Sequence, residues 1–136
     1  MSVSYAAVTV DQAFNFGSFI AMRNDVSYDI VVNTDGSYSY DGAAYVEILP
    51  PQPGIYLFDG LPSSTAITSV DVTQGSPMIG VGSFFSLVDF QETHPATTNG
   101  VGEAQIYIGA TARSSGNGTP YSDQTYLGSV DITINF

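Results

Sequence analysis

The chain has no cysteine and no lysine, and only Arg23 and Arg113 among its 136 residues are basic. Each absence closes off a class of chemistry. Without cysteine there are no disulfides and no thiolate metal sites. Without lysine or cysteine, the amine and thiol nucleophiles of covalent catalysis are missing too. Thirteen acidic residues stand almost unopposed and give a formal net charge of −11. A chain so poor in positive charge has no footprint for the phosphates of DNA or RNA. Anionic membrane surfaces are disfavoured for the same reason. The acidic residues are scattered rather than run together, so no acidic tail exists.

Long apolar runs are also missing. No stretch approaches the ~18 consecutive apolar residues of a membrane helix, so membrane insertion is not expected. The first ten residues, Met1 to Val10, show no basic segment followed by an apolar one. That leaves a cytoplasmic protein or the mature form of an exported one, and the exported form is expected. The length suits a single domain, 1–136, large enough to hold a core without covalent staples.

What is present points to β-structure. Gly, Ser, Thr, Asn, Asp and Tyr are abundant, whereas Lys, Glu, Leu and Arg, the good helix formers, are scarce. Turn pairs recur: Asp35-Gly36, Asp41-Gly42, Asp59-Gly60, Asn99-Gly100 and Asn117-Gly118. Between them apolar and polar residues alternate. Val130, Ile132, Ile134 and Phe136 share one face, with Ser129, Asp131, Thr133 and Asn135 opposite. Ala104, Ile106, Ile108, Ala110 and Ala112 form a second such face, and Val26, Tyr28, Ile30 and Val32 a third. Further strands are expected at 37–40, 44–49, 55–58, 66–73 and 78–90, the last broken near Gly80-Val81-Gly82. Short strands with a turn every 8–12 residues predict an all-β, antiparallel sandwich. Segment 113–124 is expected to be a polar, mobile loop. At the N-terminus the apolar phase switches at Ala6-Ala7. That is either a bulge in one strand or two strands, the first free to complete a neighbour.

Candidate chemistry is sparse. The only histidine, His94, precedes Pro95 in a polar stretch with no evident partner, and no Gly-x-Ser-x-Gly elbow exists. The chain is not expected to be an enzyme. Asn33, Asp35 and Asp41 are oxygen ligands of the kind calcium takes, although Asp-Gly turns explain the same letters. Tyr38 and Tyr40 share a face of one short strand and offer rings for stacking on a glycan, although cross-strand tyrosine packing explains them without a ligand. No cofactor other than calcium is suggested.

Several segments together resemble a secreted bacterial family, the domain-of-unknown-function 4402 group, itself similar to spore coat protein U and chaperone–usher pilin domains. The segments are Phe14-Asn15-Phe16-Gly17-Ser18-Phe19, the strand and turn from Asp25 to Gly36, Gly54 to Pro62, and Gly102 to Ala110. The fifth is the ending, from Tyr121-Ser122-Asp123 through Val130 to Phe136. The resemblance implies an immunoglobulin/pilin-like sandwich, export to the bacterial cell surface, and no known activity. It also implies assembly of copies of the chain into a pilus-like filament or coat by strand complementation. The donor strand would then carry Val3, Tyr5, Val8 and Val10, and the groove wall Val130, Ile132, Ile134 and Phe136. The alternative from a different class is a monomeric surface module for glycan or calcium, built on Asn33, Asp35, Tyr38, Tyr40 and Asp41. A phage capsid-decorating protein would share this composition.

Overall fold

The alternating segments do become strands, and the described residues contain no helix. The computed structural model describes residues 2–3 and 7–136. Its strands are β1 (Ser2–Val3), β2 (Ala7–Gln12), β3 (Ser18–Ala21), β4 (Asp29–Val32), β5 (Tyr38–Tyr40) and β6 (Tyr45–Leu49). They continue with β7 (Gly54–Asp59), β8 (Ser69–Gly80), β9 (Ser83–Thr93), β10 (Ala104–Ser114) and β11 (Leu127–Asn135).

Every pairing is antiparallel. The main sheet runs β1-β11-β8-β9-β10-β4-β5, with β7 also on β10 and β2 on β7; β3 and β6 form a separate pair. The main sheet curls so that its inner faces meet, which is the expected antiparallel sandwich. β10 is its spine. One edge pairs with β9 while the other is divided, Ala104 to Ile108 pairing with β7 and Ala110 to Arg113 with β4. Between Gly109 and Thr111 the β9 ladder bulges, and Asp89 takes a left-handed φ of 50° there.

Two hydrophobic clusters fill the interior. The upper one gathers Ile30, Val32, Phe85, Leu87, Ala110, Ala112 and Tyr45. The lower one gathers Phe58, Val70, Ile106, Ile108 and Ile134. Phe14 packs against both. Tyr45 is buried, and its hydroxyl donates to the Tyr28 carbonyl at 3.0 Å.

Three expectations change and one open alternative is decided. The break near Gly80 is the turn of a β8–β9 hairpin, and β8 runs on through 74–77 where a gap was expected. Val26 lies outside β4 and is 56% exposed, because the chain has not yet entered the sheet there. Segment 113–124 is tied down rather than loose. Asn24, itself buried, donates to Ser115 Oγ, Asn117 Oδ1 and the Thr119 carbonyl, and accepts from the Gly116 N–H. Finally, the phase switch near Ala6-Ala7 separates two strands, β1 on β11 and β2 on β7; Ala6 lies outside the described residues.

Candidate functional site

Phe14 to Phe19 turns a corner. Asn15 pairs with Gln52 through both backbone groups, and its Oδ1 accepts from the Gly17 N–H at 3.0 Å. Gly17 has a φ of 77°, and a Cβ there would overlap the Leu49 carbonyl oxygen; only glycine fits. The Tyr40 hydroxyl closes the corner by donating to the Phe16 carbonyl at 2.6 Å. The chain thereby leaves the β2–β7 side and enters β3, which among the described residues pairs with β6 alone.

Across from β3 stands the first half of β11. Among the described residues β3 and β11 do not come within strand-pairing distance. Along β11, among the described residues, the edge away from β8 is paired where β1 meets Asn135 and Ile134 and not beyond. Between the two edges opens a groove of about 620 Å³. Phe16, Phe19, Met78, Phe85 and Leu87 line it from the interior. Tyr121 lies flat on Phe85, ring centroids 4.2 Å apart, and Tyr126 meets Phe85 edge-on at 5.2 Å. Ile20 and Leu127 also line it, 52% and 73% exposed. Its single charged lining residue is Asp123.

β3 and the first half of β11 lie farther apart than hydrogen-bonded neighbours do. Such a gap offers unpaired backbone groups on both sides and apolar side chains beneath. It can accept an extended peptide whose alternate side chains point inward.

The residues singled out from sequence fall in several places. Val8 and Val10 sit on β2, opposite Phe58 and Tyr56 of β7, and are 48% and 56% exposed. Val3 pairs with Ile134, and Tyr5 lies outside the described residues. Of the four expected wall residues only Val130 lines the groove; Ile132, Ile134 and Phe136 pack into the lower cluster instead. The wall that sequence reasoning missed is Phe14 to Ala21, together with Tyr121 and Tyr126. Its signal was the aromatic Phe14–Phe19 motif, which marked a resemblance without a place in space.

The calcium and glycan candidates are engaged locally. Asn33 accepts from Gln91 and donates to Ser37, Asp35 accepts from the Ser37 N–H and hydroxyl, and Asp41 accepts from the Ala43 N–H. Those hydrogen bonds from Ser37 hold the Asp35 carboxyl below its usual range. No group of three acidic or histidine side chains close enough for a metal ion occurs among the described residues. Tyr38 and Tyr40 meet edge-on at 6.1 Å, but Tyr40 spends its hydroxyl on the Phe16 corner. Burial pushes the Tyr40 phenol up to about 12, with Glu47 adding to the shift. A hydrogen bond to Glu47 also raises Tyr38. His94 Nδ1 lies 2.6 Å from Glu92 Oε2, far along the sheet from the groove.

No protein-family model, no curated protein and no solved structure matches the chain.

Proposed function

We propose that this chain is a non-catalytic structural subunit, exported to the bacterial cell surface, that assembles with copies of itself by strand complementation. The observation that carries this reading is the groove between the unpaired edges of β3 and β11. β1 begins a ladder on that same β11 edge, in antiparallel sense, and the chain then departs to form β2 on β7. A neighbour's N-terminal segment continuing the β1 ladder would fill the groove. The resemblance to pilin-like domains points the same way.

Energetics favour the exchange modestly. Residues 7–10 of the donor would give up a ladder on β7 and gain one on β11, so the backbone terms nearly cancel. In the register that sets Ser2 on Asn135 and Val3 on Ile134, Ala7 falls opposite Val130 while Val8 and Val10 fall opposite Ser129 and Leu127, so the gain lies in covering the apolar floor of the groove. Main-chain hydrogen bonds would hold the register, and the apolar floor would supply specificity.

Negative-stain electron microscopy tests this. Full-length protein should form filaments. Variants lacking residues 1–6, which spare β2, or residues 1–10 should stay as single particles. Filaments of normal length from the deletion variants, or uniform small particles from the full-length chain, would overturn it.

A further inference from the structure

We infer that the tip of the β8–β9 hairpin, together with Leu127, is the surface on which the body of a second copy lands, namely the copy whose strand occupies the groove. This rests on the strand-sharing reading and adds a second contact to it.

The direction of the donor is the first argument. Ser2 pairs with Asn135 and Val3 with Ile134, so each step forward along the N-terminal strand is a step back along β11. A strand continuing in that sense reaches Leu127 with its C-terminal end. The rest of the donor subunit must therefore leave the groove at that point.

What lies there is the second argument. Leu127 pairs with Ile79, and Ile79 with Phe84, so the three residues stand side by side on adjacent strands. They are 73%, 54% and 41% exposed, and Val81 at the tip is 88% exposed. From Val72 to Val88 no residue is charged. Copies that each carry −11 repel one another, so a contact between them belongs where carboxylates are missing. At the other end of the sandwich stand Asp59, Glu92 and Glu103; at this end Asp123, beside Gln124, lines the groove.

The tip is also held in shape. The Val81 N–H donates to Gln124 Oε1 at 2.7 Å, and Gln124 Nε2 donates back to the Val81 carbonyl at 3.2 Å. Gln124 and Tyr126 lie over Gly80 so closely that a Cβ would strike both. An exposed valine with its backbone clamped costs little entropy to dock, which is what an interface anchor requires.

The absence of native cysteine supplies the test. Val81→Cys and, as a control at the far end, Val101→Cys each introduce one thiol at a side chain exposed in the monomer. The rate of reaction with a water-soluble maleimide is measured before and after assembly. The Val81→Cys thiol should slow about tenfold on assembly, the ratio expected of a contact worth some 1.4 kcal/mol. The Val101→Cys thiol should keep its rate. Filaments in which both thiols react as in the monomer would overturn this inference and leave strand sharing intact. Failure of either protein, and of the unaltered chain, to form filaments would overturn the strand-sharing reading and this inference with it.

Discussion

β10 and β2 are built from the same kind of alternating sequence, yet their side chains meet opposite fates. Ile106 and Ile108 on β10 are 0% and 1% exposed, while Val8 and Val10, in an equally regular alternation on β2, are about half exposed. Alternation tells which side chains face inward; it does not tell whether another strand lies over them. β10 has neighbours on both edges, whereas β2 has a neighbour on one edge among the described residues and adds no side chain to either hydrophobic cluster. The closed part of the molecule holds its own stability, and the open part holds surface that a partner can still bury.

The comparison can be broken most readily at its closed side. Ile108→Ala should cost about 2–5 kcal/mol by urea unfolding, because its site cannot collapse around the missing atoms. Val10→Ala should cost under about 1 kcal/mol in the monomer. Equal losses would mean that the open side is already packed. An intermediate effect is expected at Asn24, which ties segment 115–119 to the start of the fold. Asn24→Ala leaves the Gly116 N–H and the Thr119 carbonyl without their partner and should cost about 1–3 kcal/mol.

The smallest and sharpest effect is on pH dependence. Burial pushes the phenols of Tyr40 and Tyr45 up to about 12, from an ordinary value of 10. A group whose folded value is raised keeps its full contribution below the unfolded value and loses it as pH climbs through the folded one. Stability should therefore fall between pH 10 and 12. In urea titrations across this window Tyr45→Phe should show a shallower fall than the unaltered chain. An unchanged slope would show that Tyr45 is not ionising against its burial.

Much of the framework could be read from the letters. The segments Ala104–Ala112 and Val130–Phe136 alternate without interruption, and both became strands. The extension of β8 through Gly75 and Pro77 could not be read, because both residues signal a turn. The irregular register against Ser129 accommodates them in a ladder. Asn24 gave no local sign of its role, since its partners lie more than ninety positions away. Of the groove's β11 side only Val130 had been singled out, and the Phe14–Ala21 side depends on a corner held by Gln52 and Tyr40 from far along the chain. Local pattern fixes which way a side chain points, and only the assembled topology decides which edges remain free.

The pairing of β1 with β11 also orders events in time. Val3 must wait for Ile134, so during synthesis the first strand emerges long before its partner. Contacts this distant in sequence make for slow folding. Through that interval the N-terminal strand of each nascent chain is an unclaimed edge-seeker, as able to find a finished neighbour as its own late-arriving strand. Crowding while chains are still folding, rather than affinity alone, would then set the balance between closed monomers and linked ones.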